Sequence, residues 1–426
     1  MRRSRGAGPI PVRILLVNAF HYLRGGVERT CLDESRWLSA AGHEVAHFAI
    51  RDPRNLPSPT ADHFAPAADF GEGAPLARQI AQLPRALWSA PAARAMAGLL
   101  AAWRPDVAHV HAPSRYLTPS FLRPLERAGV PVVATLHDFK PWCTNRIMFA
   151  RGAPCERCRG GRHWQAVAAG CVQGSRAKSA VGAVEAYLHD AIGAWRAVRL
   201  WIAPSRFVLD KARAWRVPQS RLRLLGHGVE PGAPAPGGAP ADGRARSAAG
   251  LRPVVFFSGR LSLEKGVRLL PGLARALPRA EVHVAGEGPL GPELAAAARA
   301  APNLRLLGHL SDEDLAARRA AAAAVVVPSL FYEHFGYAAA EALLDARPLV
   351  ASRIGALPEL CEHEVTGLLV PPGDAAALAA AVARALDEPA ARGWAAAGRA
   401  RVLERGAPAR HVEGLLAIYD EARALA

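Results

Sequence analysis

Short apolar segments alternate with helix-like segments along most of the chain, and this alternation restricts the fold more than any other feature. Residues 12–17 (VRILLV) have the unbroken apolar character of a strand buried in a parallel sheet. A Gly25-Gly26 loop and a helical pattern over residues 27–41 follow. Further strand patterns lie at residues 44–50, 106–110, 131–136 and 200–203, with helical patterns such as 118–128 and 204–215 between them. The first half therefore has the pattern of an α/β domain.

The same alternation returns after a segment dense in Pro, Gly and Ala. Residues 231–252 lack any periodicity and predict an interdomain linker. Strand patterns follow at 254–258, 281–285, 304–307, 324–327 and 349–352, and closing helices are predicted at 374–387, 389–403 and 408–425. Because a single core seldom serves more than about 250 to 300 residues, a chain of 426 residues is expected to form two domains.

We therefore predict an α/β fold in which two Rossmann-like domains face each other across a cleft. The first domain is assigned to residues 1–230, the linker to 231–252 and the second domain to 253–405. The last helix, within 406–426, is expected to pack back on the first domain.

The chain carries a formal net charge of +16, yet the charge pattern does not indicate nucleic-acid binding. The basic residues are scattered and no basic segment is interleaved with aromatic residues, so a nucleic-acid-binding protein is the disfavoured alternative. The positive field would favour anionic partners such as nucleotide diphosphates or an anionic membrane surface. No apolar stretch is long enough to cross a membrane, and the basic start of the chain continues through Gly and Pro without an apolar helical segment. We expect a cytoplasmic protein.

Two cations follow the first strand of the second domain. Gly259 and Arg260 end that strand, and Lys265 follows five residues after the arginine, where a helix is expected to begin. A diphosphate requires positive charge and free N–H donors at such a position. Solvent-exposed cations with no ligand are the alternative interpretation of this pair.

A second polar segment follows the strand pattern 324–327. Glu333 is expected in the loop before a helix, Gly336 would allow close approach of the backbone, and Glu341 would lie about one and a half turns into the helix. A carboxylate accepts two hydroxyl hydrogen bonds, which suits Glu333 to a sugar and Glu341 to a ribose. Two ordinary surface glutamates are the alternative.

These segments together resemble glycosyltransferase family 4, the retaining enzymes with the GT-B fold. The similarity rests on the order and spacing of many short motifs across both halves. They are Gly25-Gly26-Val27-Glu28, residues 106–111 (DVAHVH), residues 135–138 (TLHD), residues 203–205 (APS), residues 227–230 (HGVE), residues 258–260 (SGR) with Lys265-Gly266, residues 286–289 (GEGP), Glu333 with Glu341, Pro358-Glu359 and residues 367–370 (GLLV).

The resemblance implies roles for single residues. Arg260 and Lys265 would hold the diphosphate of a nucleotide-sugar donor beside Gly259, and Glu341 would bind the ribose. Glu333, with the backbone of Phe335 and Gly336, would bind the transferred sugar. Gly25 and Gly26 would close over the phosphates, and His137 would lie near the anomeric carbon as the candidate catalytic side chain. The family implies retention by front-face displacement without a catalytic metal. The acceptor would be a glycan, a lipid-linked sugar or a small molecule, in cell-surface polysaccharide or glycoconjugate synthesis.

The chain departs from the family pattern after Glu341, where Ala346 stands in place of the usual glycine before Pro348. A left-handed helix end costs more free energy in alanine than in glycine, so an adjusted helix end is expected.

A nucleotide-sugar epimerase or a phosphorylase on the same scaffold is the alternative enzyme.

Four cysteines cluster directly after the His137 motif. Cys143, Cys155, Cys158 and Cys171 can supply four thiolates to one structural zinc ion, and four reduced thiols are the open alternative. A subset of the family has a similar cysteine-rich insertion, so the resemblance supports an insertion at this place in the chain. Because the insertion follows the His137 loop, it is expected to shape the acceptor side.

Residues 76–104 combine arginines, including Arg78, Arg85 and Arg94, with leucines, alanines and two tryptophans. Basic amphipathic helices that contact an anionic membrane are one interpretation of this segment, and core-facing helices with solvated arginines are the other. Pro84 and Pro91 are expected to interrupt any single long helix here.

Overall fold

The structure is a computed structural model that describes residues 11–67, 76–230 and 252–425, with the backbone alone for residues 76–80. The predicted linker at 231–252 lies outside the described residues apart from its last position, and so do the first ten residues.

A parallel sheet forms the centre of the first half. Its strands and one small hairpin are β1 (Arg13–Val17), β2 (Glu44–Phe48), β3 (Val107–Val110), β4 (Val132–Thr135), β5 (Phe149–Ala150), β6 (Ala153–Pro154), β7 (Val198–Ala203) and β8 (Leu222–Leu224). The sheet has six strands in the order β2-β1-β3-β4-β7-β8, and β5 pairs only with β6. All neighbours in the large sheet run parallel.

Helices connect these strands on both faces of the sheet. They are α1 (Gly26–Ala40), α2 (Leu76–Leu87), α3 (Ala90–Ala102), α4 (Ser114–Leu117), α5 (Leu122–Arg127), α6 (Trp164–Ala169), α7 (Arg176–Ala191) and α8 (Arg206–Ala214). Pro84 lies inside α2, whereas Pro91 stands in the first turn of α3, where a missing N–H costs little. The interruption predicted in this segment therefore falls between the two helices, at residues 88–89.

The second half repeats the architecture. Its strands are β9 (Val254–Ser258), β10 (Glu281–Ala285), β11 (Leu304–Gly308), β12 (Ala324–Val327), β13 (Leu349–Ser352) and β14 (Leu368–Val370), in the parallel order β11-β10-β9-β12-β13-β14. Its helices are α9 (Leu270–Ala276), α10 (Gly291–Arg299), α11 (Asp312–Ala321), α12 (Tyr337–Leu344), α13 (Leu357–Leu360), α14 (Ala375–Asp387), α15 (Ala390–Arg405) and α16 (Pro408–Ala424). The prediction of two parallel α/β domains is confirmed.

Each sheet is buried on both faces, which explains the continuous apolar runs of its strands. In the first half one face packs around Phe48 and Phe121, and the other around Leu16 and Leu38. Two further apolar clusters cover the faces of the second sheet.

The last helix, α16, packs on the first half. Val412, Leu415, Ile418 and Tyr419 belong to the same apolar cluster as Leu16 of β1. The chain thus passes between the halves twice, and the two passages are paired, because the N–H of Val229 donates to the carbonyl of Gly406 at 2.8 Å.

Three details differ from the sequence expectation. The helical pattern at 118–128 is divided, because Thr118 has φ 49° and precedes a short 3-10 turn at Pro119–Phe121 before α5 begins. Strand β8 and helix α7 had not been predicted. Ala346 takes the left-handed conformation itself, with φ 50°, so the helix end keeps a backbone geometry that normally favours glycine.

Candidate functional site

The carboxyl ends of both parallel sheets face the cleft between the halves, and the predicted site residues follow these strand ends. Arg260 comes after β9, Glu333 after β12 and His137 after β4. Since β9 and β12 are neighbours in the second sheet, the loops with Arg260, Lys265 and Glu333 lie side by side.

The loop after β9 is shaped by one glycine. Lys265 ends a 3-10 turn (Leu263–Lys265), and Gly266 follows with φ 71°. A Cβ atom at Gly266 would lie 1.9 Å from the carbonyl oxygen of Pro328 in the loop after β12. The Lys-Gly pair therefore lets the two loops touch, which a residue with a side chain would prevent.

An ion pair joins the two loops. The ammonium of Lys265 donates to Oε1 of Glu333 at 2.7 Å, and the hydroxyl of Ser329 donates to the same oxygen at 2.7 Å. The Lys265 ammonium also lies 4.9 Å from the ring centre of Phe331. Arg260 is exposed, and its side chain has no hydrogen-bonding or ionic partner within the described part of the chain. One cation is thus paired, and the other faces solvent beside it.

Glu341 lies on α12 and its carboxylate is paired with an arginine that the sequence did not single out. Arg319 of α11 donates to Glu341 at 2.9 Å and to Asp345 at 2.6 Å, and its side chain is 7% exposed. Burial raises the pKa of Glu341, while Arg319 and Arg29 oppose that rise. No local pattern marks Arg319, because its partners lie more than twenty residues further along the chain.

The glycine loop of the first half reaches the start of α12. A Cβ at Gly26 would lie 2.9 Å from the ring of Tyr337, so glycine permits this contact. The hydroxyl of Tyr337 is also hydrogen-bonded to Thr30 of α1 at 2.5 Å. The structure therefore brings Gly25-Gly26 to the helix that carries Glu341.

His137 lies within a stack of aromatic rings between the halves. Its Nε2 is 3.0 Å from Nδ1 of His111, and its ring stacks on His227, which in turn stacks on Tyr337. Burial, with a further contribution from His111, holds the pKa of His137 well below its usual value. The imidazole is therefore neutral at neutral pH, and it can exchange hydrogen bonds but does not supply a positive charge.

Glu359 of the second half forms a further contact with the first half. Its carboxylate accepts hydrogen bonds from the backbone N–H groups of Arg206 and Phe207, at 2.9 and 2.8 Å, and so caps α8 of the first half. The hydroxyl of Ser205 donates to the carbonyl of His334 at 2.8 Å. The Pro-Glu motif was noted in the sequence, but no cap between domains could be read from it.

A cavity of about 460 Å³ lies beside the paired passages of the chain, which is a common location and size for a ligand pocket. Its lining includes Ser205, His227, Phe335, Glu359 and Arg405. Arg260, Lys265, Glu333 and Glu341 do not line it. Of the residues predicted to bind the donor, only Phe335 lines this cavity within the described part of the chain.

The four clustered cysteines line one small cavity beside Trp215. Burial raises the pKa of the Cys143 thiol to about 12 and that of Cys171 to about 11, and the neighbouring sulfur atoms add to both shifts. Four cysteines around one cavity are a donor set that a divalent cation would bind as thiolates.

The arginines of the segment proposed for membrane contact differ in their surroundings. Arg85 donates to the backbone carbonyl of Pro66 at 3.1 Å, whereas Arg94 is exposed; the side chain of Arg78 is outside the described part. No helix among the described residues is both long and apolar enough to cross a bilayer.

Comparison with protein families gives two matches, one for each half. Residues 24–233 match the model described as Glycosyltransferase Family 4, and residues 252–388 match the model described as Glycosyl transferases group 1. Together the two matches span nearly all of both α/β domains.

Curated relatives resemble a limited part of the chain. The glycogen synthase of Mycobacterium tuberculosis is 42% identical over 144 residues, which cover 32% of this chain and 34% of that protein. The alpha-D-kanosaminyltransferase of Streptomyces kanamyceticus is 34% identical over 148 residues, 33% of this chain and 38% of that protein. The chain thus spans little more than a third of the length of these relatives.

Solved structures resemble the whole fold. Sucrose-phosphate synthase from Thermosynechococcus elongatus has a TM-score of 0.69 at 22% identity and covers 97% of this chain and 99% of its own. HepE from Anabaena, in complex with UDP and glucose, has a TM-score of 0.68 at 18% identity and covers 96% and 100%. These likenesses establish the GT-B fold, and with the two family matches they confirm the resemblance seen in the sequence. The chain belongs to glycosyltransferase family 4.

Proposed function

We propose that this protein is a retaining glycosyltransferase that moves a sugar from a nucleotide-diphosphate sugar to an acceptor hydroxyl. The observation that carries the proposal is the ion pair between Lys265 and Glu333 at adjacent strand ends, 2.7 Å in length, with the exposed Arg260 beside it. This arrangement offers two cations and one carboxylate to a single ligand that has both phosphates and hydroxyls.

Donor binding would replace the ion pair between Lys265 and Glu333 by contacts with the donor. The diphosphate takes the ammonium of Lys265 and the guanidinium of Arg260, which releases the carboxylate of Glu333 to accept hydrogen bonds from sugar hydroxyls. Glu341 accepts from the ribose, and Gly25 and Gly26 allow the first half to approach the phosphates. Because Glu333 and Lys265 neutralise each other before binding, neither is left as a buried unpaired charge.

The transfer step follows from the same charges. The bond between the anomeric carbon and the diphosphate oxygen breaks while the acceptor oxygen bonds to the same face of the sugar, and the acceptor proton passes to the departing phosphate oxygen. Arg260 and Lys265 stabilise the negative charge that develops on the diphosphate, so no catalytic metal is required for that purpose. Neutral His137 orients a hydroxyl of the sugar or the acceptor.

Thermal-shift measurements with UDP, GDP and ADP on the full chain test the nucleotide part of this proposal. UDP is the first to try, because the related fold of HepE was solved with UDP and glucose. We expect one nucleotide to raise the melting temperature, and Lys265→Ala to abolish that rise. Lys178→Ala, which changes an exposed lysine on α7, is the matched control and should keep it. Three nucleotides without effect would contradict the proposal.

The acceptor class is tested by product analysis with the matching nucleotide sugar. We propose a glycan, lipid-linked or small-molecule acceptor and a role in cell-surface polysaccharide or glycoconjugate synthesis. Transfer to added acceptors supports the assignment, whereas an isomerised nucleotide sugar, or sugar phosphate formed only with added phosphate, would support an epimerase or a phosphorylase.

We also propose that the cysteine cluster binds a structural zinc ion, with Cys143, Cys155, Cys158 and Cys171 as ligands. Their position around one cavity supports this, and zinc would hold the insertion in shape next to the His137 loop. Metal analysis of protein purified without added zinc is the test. Less than about half an equivalent per chain bound at these cysteines would contradict the proposal.

We place the protein in the cytoplasm, with peripheral contact to an anionic membrane through the segment around Arg94. The six free cysteines support a reducing compartment. Charge reversal of Arg78, Arg85 and Arg94 should lower co-sedimentation with anionic liposomes. Unchanged binding by the triple variant would argue against membrane contact through this segment.

A further inference from the structure

Three titratable side chains meet in the interior of the first half, and one of them contacts His137. Glu34 lies on α1, His109 lies on β3 and His111 directly follows that strand. Their side chains are 1%, 0% and 0% exposed. A carboxylate so deeply buried requires compensation for the water that it has lost.

Two atoms of this cluster lack hydrogen-bond partners. Oε2 of Glu34 and Nε2 of His111 are both buried and unpartnered, and they lie 3.5 Å apart. The same Glu34 oxygen lies 3.3 Å from Nδ1 of His109. These three atoms all lie within 4.8 Å of one another, so they surround a common point.

The remaining polar atoms of the three residues are occupied. Nε2 of His109 is 2.8 Å from the hydroxyl of Thr135, and Nδ1 of His111 is 3.0 Å from Nε2 of His137. Oε1 of Glu34 is 3.0 Å from Nε2 of His411. Metal-binding histidines commonly use their second nitrogen in this way, which fixes the ring and directs the free lone pair toward the ion.

We propose that Glu34, His109 and His111 bind one divalent cation of the zinc type. Ligand atoms about 2.0 to 2.1 Å from a tetrahedral ion lie about 3.4 Å from one another. Two of the three separations in the structure are 3.3 and 3.5 Å, and the third is at most 4.8 Å. The hydroxyl of Tyr419, hydrogen-bonded to Nδ1 of His109 at 2.8 Å, would give up that bond to the ion and become a candidate fourth ligand.

The site would be structural. Tyr419 belongs to α16, which comes from the far end of the chain, while Glu34 and the two histidines belong to the first half. An ion held by all four would fasten the last helix to the first sheet. The inference does not depend on the proposed sugar transfer, and it is independent of the cysteine cluster.

Metal analysis of the full chain in a Cys158→Ser background tests the proposal, because that substitution weakens the cysteine cluster as a competing site. About one equivalent of metal should remain in this background and fall below about 0.2 equivalents when Glu34→Gln is added. His283→Gln is the matched control, since His283 also pairs with a glutamate, Glu281, at 2.8 Å but has no third ligand among the residues that the structure describes. Metal content that is unchanged by Glu34→Gln would overturn the proposal.

If Glu34→Gln does not fold, cobalt titration of the wild-type chain tests the same proposal after a chelator has removed the bound metal. We expect visible bands of cobalt in a nitrogen and oxygen site, in addition to any thiolate charge-transfer band from the cysteines, and a rise in melting temperature on adding Zn²⁺ to the Cys158→Ser chain. Cobalt bound by thiolates alone, with no such rise, would overturn the proposal.

Discussion

Lys265 is held in place by neighbouring groups before any ligand arrives. Glu333 accepts its hydrogen bond, Ser329 fixes that carboxylate and the ring of Phe331 lies under the ammonium. In the proposed donor complex the side chain would therefore lose little conformational entropy when a diphosphate replaces the carboxylate, which favours tight binding.

Removing the charge of Glu333 should separate sugar transfer from nucleotide binding. Glu333→Gln keeps the shape of the side chain but weakens its contacts with sugar hydroxyls, so kcat should fall by about 100-fold or more while nucleotide affinity stays within about threefold. Arg260→Ala should weaken both. Steady-state kinetics with calorimetric titration of the nucleotide measure the two effects, and unchanged kinetics in either variant would refute the assigned role.

Gly266→Ala should destabilise the second half. The new Cβ would meet the Pro328 carbonyl at 1.9 Å, and the φ of 71° disfavours alanine, so we expect a loss of about 2 kcal/mol or more. Gly272→Ala in α9 is the control, because its Cβ would meet nothing within 4 Å and alanine favours the helix. Thermal unfolding of the two variants should differ in sign, and equal melting temperatures would contradict this account of Gly266.

At the level of secondary structure, helices α11 and α12 are held together by Arg319. This buried guanidinium donates to both Glu341 and Asp345, and two carboxylates share one cation. These contacts fix the position of the Glu341 carboxylate relative to α11.

Arg319→Met should change how nucleotide affinity depends on pH. Arg319 lowers the pKa of Glu341, which burial otherwise raises, so its loss should raise that pKa further. Affinity should then begin to fall at a higher pH as the carboxyl group takes up a proton. Arg318→Met, at an exposed neighbouring position, is the control. Superimposable pH profiles for the two variants would show that Glu341 does not contact the nucleotide.

Strand β2 carries a histidine that should make the first half sensitive to acid. Burial lowers the pKa of His47 to about 3, with His21 adding to the shift. In the unfolded chain the pKa of His47 returns to about 6.5, so below that pH the unfolded state takes up a proton that the folded state does not. The free energy of unfolding therefore falls as the pH drops from 6.5 toward 3, by an amount on the order of 4 kcal/mol. His47→Gln should reduce this loss. The difference between wild-type and variant unfolding free energies from pH 7 to pH 4 is the measurement, and a constant difference would refute the assignment.

On the scale of the whole molecule, the two halves touch through several specific contacts at the cleft. Thr30 bonds to Tyr337, Ser205 bonds to His334 and Arg29 forms a 3.1 Å ion pair with Asp312. His334 and Tyr337 flank the Phe335-Gly336 segment that is proposed to bind the sugar, so the arrangement of the halves and the shape of this segment depend on each other.

Tyr337→Phe should loosen this arrangement. The variant keeps the ring stack but loses the hydrogen bond to Thr30, so the radius of gyration without ligand should rise and return toward the wild-type value when donor binds. Tyr187→Phe is the control, since the Tyr187 hydroxyl accepts from the backbone N–H of Trp164, a contact within the first half. Small-angle scattering measures the change, and identical curves for the two variants would mean that the bond does not hold the cleft.

The sequence was sufficient for the two-domain α/β architecture and for the loops that carry Arg260, Lys265 and Glu333, because these depend on local periodicity and on short motifs. It did not reveal Arg319, the cap from Glu359 or the cluster around Glu34. Each of these requires partners from distant segments, and their apposition is set by how the sheets and helices pack. The short β8 was missed because three residues carry too little periodicity.

The two passages between the halves are paired where Val229 donates to Gly406. At this point the backbone that leaves the first half and the backbone that returns to it are held together with 2.8 Å between donor and acceptor atoms. The spacing of the two halves is therefore set here by main-chain atoms alone, whatever side chains line the cleft.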